Sequence, residues 1–151
     1  MNNNEFVYTT YIRSTPQKVW TAITNPEFTR QYWVHDNISD WKKGSEWKHQ
    51  GKDGQVKVVG KVVESIPPKL LVLTWADPAN QSDDSQVTFE IEAVADMVRL
   101  NVIHGHFKAD STMAGKVAIG WPLVLSSLKS FLESGKALDI WAAKITDCSK
   151  A

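Results

Sequence analysis

One cysteine, Cys148, stands in the whole chain, so no intrachain disulfide can staple the fold and stability must come from a packed core. Long apolar runs are missing too. None reaches the ~18–20 residues of a membrane span, and Met1-Asn2-Asn3-Asn4-Glu5 does not resemble a signal peptide. These absences predict a soluble, cytoplasmic protein with no membrane span. Nor is there an excess of charge: 17 basic and 17 acidic side chains cancel, which leaves no overall field to draw the chain to nucleic acid. A Gly-rich phosphate cradle is lacking, because Gly51-Lys52-Asp53-Gly54 has no strand-to-helix context and reads as a hairpin turn. Ser126-Ser127 lies in a helical stripe, without the strained elbow that exposes a nucleophilic serine. Repeats and low-complexity linkers are absent. The chain of 151 residues fits a single domain, 1–151, and one of that size buries roughly 68–70% of its unfolded surface.

What the chain has in abundance is tryptophan, seven in all, and rings of that size need a bulky core, a lined cavity or an interface. Phe6 to Ile12 is rich in β-branched and aromatic residues and predicts a strand. Ser14-Thr15-Pro16 then supplies a cap and a first-turn proline for a helix to Thr24. Asn25-Pro26-Glu27 repeats that punctuation and opens a second short helix ending at Tyr32 or Trp33. Its anchors and those of its neighbour are Val19, Ile23, Phe28 and Tyr32.

After a polar stretch containing Asp36 and Asn37, a strand pair is predicted around the hairpin turn: Gly44 to Gln50, then Gln55 to Ile66. Val56, Val58 and Val62 face one way, and Gly60 on that inner face marks a bend or bulge. Pro67-Pro68 breaks the strand and Leu70 to Ala76 resumes it. Asp77 to Asp84 reads as a connecting loop, long enough to be mobile. Ser85 to Val94 alternates cleanly, with Val87, Phe89 and Ile91 inward. The last strand, Met97 to Phe107, puts Val98, Leu100, Val102, His104 and His106 on one face. From Thr112 to about Ser134 the stripe Val117, Trp121, Val124, Leu125, Leu128, Phe131 and Leu132 predicts one long helix capped by Gly135 and bent near Pro122. Leu138, Trp141 and Ile145 recur at helical spacing and predict a short further amphipathic segment.

This order is an α+β arrangement in which a curved antiparallel sheet grips a long C-terminal helix, with two short helices after the first strand. Ile12-Arg13-Ser14-Thr15-Pro16-Gln17-Lys18-Val19-Trp20 with Pro26-Glu27 and Trp33 resembles the opening motif of one branch of the START-like (SRPBCC) superfamily. That branch is related to the activator of the heat shock protein 90 ATPase. Gly44 with Trp47, Gly60 and Glu64, Pro67-Pro68 with Leu70 and Trp75, Val87-Thr88-Phe89-Glu90, Leu100 with His104, and Gly120-Trp121 with Leu125, Leu128 and Leu132-Glu133 keep the same order. The resemblance spans about residues 6–135 and leaves 136–151 as a C-terminal extension. It implies the helix-grip fold and an apolar cavity between sheet and long helix. Relatives bind lipids, hormones or polyketides, and some act as cyclases or aromatases. The chaperone activator that names the branch carries this domain after a separate N-terminal one, and 151 residues leave no room for that domain.

The expected function is binding of a small apolar or amphipathic molecule, with cavity walls drawn from Trp33, Trp47, Phe89, Ile91, Leu100, Val102, Trp121, Val124, Leu125 and Leu128. His104 would fix the orientation of a polar end. Cofactors and metals are not expected: His104 and His106 make only two ligands, where zinc takes three or four. No catalytic residue is assigned, although His104 is the best-placed proton exchanger if the chain were a cyclase acting on a polyketide-type substrate. A third possibility is a co-chaperone or self-associating module that works through Trp141 and the tail.

Overall fold

The computed structural model describes residues 5–140. Strand β1 (Phe6–Ile12) leads into α1 (Pro16–Thr24) and α2 (Pro26–Tyr32), and then into β2 (Asp36–Ile38), β3 (Glu46–Gln50), β4 (Val56–Ile66), β5 (Leu70–Asp77), β6 (Asn80–Val94) and β7 (Met97–Gly105). Helix α3 (Met113–Ser134) follows. The helix starts obey the sequence. Thr15 Oγ1 accepts the amide of Lys18 at 3.2 Å, and Asn25 Oδ1 accepts that of Glu27 at 2.9 Å; a proline sits in the first turn of each helix, where its missing N–H costs nothing. At the far end Gly135 closes α3 at φ 80°, a left-handed position that suits glycine.

All seven strands form one antiparallel sheet in the order β1-β7-β6-β5-β4-β3-β2. Hairpins run from β2 through to β7, and β1 closes onto β7 with Tyr8 opposite Val102 and Ile12 opposite Val98. The inner face carries Leu71 and Leu73, Val87, Phe89 and Ile91, and Val98, Leu100 and Val102, all buried. Trp121, Val124, Leu125 and Leu128 of α3 complete the core against it. Each such aliphatic side chain contributes roughly 1.5–3 kcal/mol by leaving water. Polar ties hold α3 across the end of β1: Glu133 Oε2 accepts the Arg13 amide at 2.8 Å, and Lys129 donates to both Glu133 and the Tyr11 carbonyl. The whole is the helix-grip fold.

Four expectations change. The segment expected as a loop from Asp77 to Asp84 is mostly strand, because β6 begins at Asn80 and only Pro78-Ala79 turn the chain. A third short strand, β2, forms in the polar stretch, paired through Asn37 and His49. His106 leaves the inner row: it takes φ 61°, is exposed, and Phe107 is buried in its place. Residues 136–140 are not helical; Ser127 Oγ accepts the Leu138 amide at 3.1 Å, the chain runs back beside α3, and Ile140 is buried. Trp141, Ile145 and Cys148 lie outside the described residues.

Candidate functional site

Helix and sheet touch fully at one end only. There Phe89, Leu100, Val102, Leu125 and Leu128 fill the interior, all buried. Toward the N-terminal half of α3 the two layers part around a cavity of about 520 Å³, bounded by the α2–β2 connection, β3, β4 and the β5–β6 hairpin. That volume lies within the ~300–1,000 Å³ common for small-molecule sites.

Indole rings form the wall. Trp121 projects from α3, Trp75 from β5 and Trp33 from the end of α2; the Trp121 centroid lies 5.4 Å from that of Trp33 and 5.5 Å from that of Trp75. Val34 follows Trp33 at φ 74°, a conformation of order 1–3 kcal/mol above the ordinary for such a residue, and this sharp turn sets both Trp33 and His35 on the wall. The His49 ring packs 4.6 Å from Trp33 and 4.8 Å from His35. The mouth is polar, with Lys57, Lys116, Asp77 and Asp83.

Two buried histidines stand in this region in different states of satisfaction. Trp121 Nε1–H donates to His104 Nδ1 at 3.0 Å, and an indole nitrogen only donates, so Nδ1 is the bare nitrogen. The proton is therefore on Nε2 and donates to Ser85 Oγ at 2.7 Å, while the serine hydroxyl donates to the Trp75 carbonyl at 3.1 Å. His104 has no nitrogen left to offer, and it locks two wall tryptophans in place. At His49 the order is reversed. Asn37 Nδ2 donates to the Ile23 carbonyl at 3.0 Å, which turns Oδ1 toward His49 Nδ1 at 2.6 Å; an amide oxygen only accepts, so Nδ1 is protonated and Nε2 bare. Burial pushes both imidazoles down to about 3, aided at His49 by the positive charge of His35 and Lys57, and burial likewise lowers His35. Asp83, on the same strand face as Ser85, turns Oδ1 inward to a fully buried position with no hydrogen bond among the described residues.

Residues 13–133 match the model of the family described as Activator of Hsp90 ATPase homolog 1-like protein. The chain belongs to this family. Structures of similar proteins agree with the fold. The Aha1 dimer from Colwellia psychrerythraea is 23% identical with a TM-score of 0.74, over 88% of this chain and 98% of that one. A Mesorhizobium loti protein is 27% identical with a TM-score of 0.73, over 85% and 96%. An HSP90 activator from Plasmodium falciparum is 21% identical with a TM-score of 0.72, over 85% and 95%. No curated protein matches by sequence.

Within this family member, the residues expected from sequence divide into two groups. Trp33, Trp121 and Val124 line the cavity. Phe89, Ile91, Leu100, Val102, Leu125 and Leu128 pack in the filled core instead, because α3 presses on the sheet there. Trp47 is turned away as well: its Nε1–H donates to the Thr74 carbonyl at 2.7 Å over Gly60. His104 stands behind Trp121 rather than on the wall, its ring nitrogens both engaged. Sequence reading missed Trp75, His49, His35 and Asp83. Trp75 could have been found, since it keeps the alternation of Leu71 and Leu73, and His49 follows Trp47 at the same period of two.

Proposed function

We propose that this chain binds a small, largely apolar or amphipathic molecule between the sheet and the N-terminal half of α3. The observation that carries the reading is the 520 Å³ cavity walled by Trp33, Trp75 and Trp121 with polar groups confined to a few positions. Binding is favoured over catalysis because a histidine held near 3 is too weak a base to take a proton at neutral pH, and that is the state of both His49 and His104. Native mass spectrometry of gently purified protein, before and after organic extraction, is the direct test. An extractable adduct is expected, and Val124→Trp, which fills the cavity, should abolish it. Absence of any adduct, with no thermal stabilisation across a lipid and aromatic library, would overturn the reading.

Family membership and the likeness to an HSP90 activator favour a second reading, a chaperone partner. The same purified chain added to Hsp90 decides it: ATP hydrolysis that does not respond removes this role and leaves the ligand reading untouched.

A further inference from the structure

The cavity wall holds two polar atoms that have lost water without gaining a partner among the described residues, and both are acceptors. One is His49 Nε2, on a ring only 5% exposed. Its lone pair is set by the chain of bonds from the Ile23 carbonyl through the Asn37 amide to Nδ1, which leaves no freedom to exchange tautomers without stranding Asn37 Oδ1. The other is Asp83 Oδ1. An acceptor buried without a donor is costly, so the complementary molecule brings donors of its own.

Charge narrows the class further. Lys57 and Lys116 on the wall are balanced by Asp77 and Asp83, so the site has no net field that would select a cation or an anion. A neutral hydroxyl meets both acceptors without importing charge. An ammonium group would face two lysines and a carboxylate two aspartates. The three indoles, with centroids 5.4 and 5.5 Å apart in sequence around Trp121, offer faces and edges for a flat ring.

We infer that the molecule held here is a planar aromatic carrying hydroxyl donors, a phenol or polyhydroxylated ring, with one donor bound to His49 Nε2 and another to Asp83 Oδ1. The inference rests on the ligand-binding reading above and adds the recognition chemistry to it. His49 and Asp83 then decide specificity, while the tryptophans supply most of the contact area. A site built around acceptors discriminates strongly against an analogue whose donor is methylated.

Calorimetric titration of the whole chain with a naphthol, its methyl ether, naphthalene and a naphthylmethylammonium salt tests it. The naphthol should bind about tenfold more tightly than its ether, as expected for one buried hydrogen bond. His49→Phe should shrink that preference. Asp83→Ala, at a half-exposed strand position where folding is least at risk, should shrink it too for a dihydroxylated ring. Equal binding of naphthol, ether and naphthalene would overturn the inference and leave the cavity reading standing, as would a preference that survives in both variants. Tighter binding of the ammonium salt would replace the phenol by a cation. Binding of none of the four would remove the cavity reading and this inference together.

Discussion

His49 and His104 are equally buried imidazoles on one sheet, yet they are prepared for opposite tasks. The difference lies in a single neighbour each. Trp121 can only donate, so it makes Nδ1 of His104 an acceptor; Asn37, pinned by the Ile23 carbonyl, makes Nδ1 of His49 a donor. The first histidine becomes an internal strut between α3 and β6, and the second keeps a bare nitrogen on the cavity wall. Ser85 is the far support of that strut, because it takes the His104 proton and passes its own to the Trp75 carbonyl. Ser85→Ala should therefore destabilise the chain by about 1–3 kcal/mol, the usual cost of stranding a buried donor. Chemical denaturation with an unchanged midpoint would show that the His104 proton is satisfied some other way. Sequence could place His104 inward by alternation, but which partner meets each ring nitrogen depends on residues far along the chain.

Among the elements, the crossing of β3, β4 and β5 shows how closely this sheet is packed behind the cavity. Gly60 faces Trp47 across the β3–β4 pair, and a Cβ placed there would lie 1.9 Å from the Thr74 carbonyl oxygen and 2.5 Å from Trp47 Nε1. The bare Cα makes room for the Trp47–Thr74 hydrogen bond. Gly60→Ala should cost about 1–3 kcal/mol through overpacking and loosen that bond. Gly115, in the first turns of α3 with nothing within 4 Å of its Cβ position, is the control: alanine there should leave stability unchanged or raise it by up to about 1 kcal/mol. Thermal melts that fail to separate the two substitutions would contradict this account of Gly60. Helix starts, hairpin turns and the stripe of α3 were legible in sequence because caps, prolines and periodicity act locally. The β5–β6 hairpin was not, since Asn80 to Asp84 carry a polar composition typical of loops and are strand only because β5 pairs with them.

At the scale of the molecule, the two buried histidines tie folding to pH. Each is held to about 3 in the folded chain against an ordinary value of 6.5. Below 6.5 the unfolded chain binds protons that the folded chain refuses. Stability is thus complete above 6.5 and falls as pH drops toward 3, by about 1.4 kcal/mol per pH unit for each histidine. Urea midpoints should fall between about pH 7.5 and about 5.5, and a flat profile would contradict the neutral burial of both rings. The family, the α+β order and the helix-grip architecture were already determined by the amino-acid sequence. Those properties rest on period, capping and composition, which neighbouring residues decide among themselves. Where helix and sheet part was decided only in three dimensions. Phe89 and Leu100 have the same inward phase as Trp75, yet they are covered by Leu125 and Leu128 while Trp75 opens on a cavity. Alternation tells which face a side chain takes; only the path of α3 over the sheet, held at β1 by Lys129 and Glu133, tells whether that face is filled or left open for a ligand.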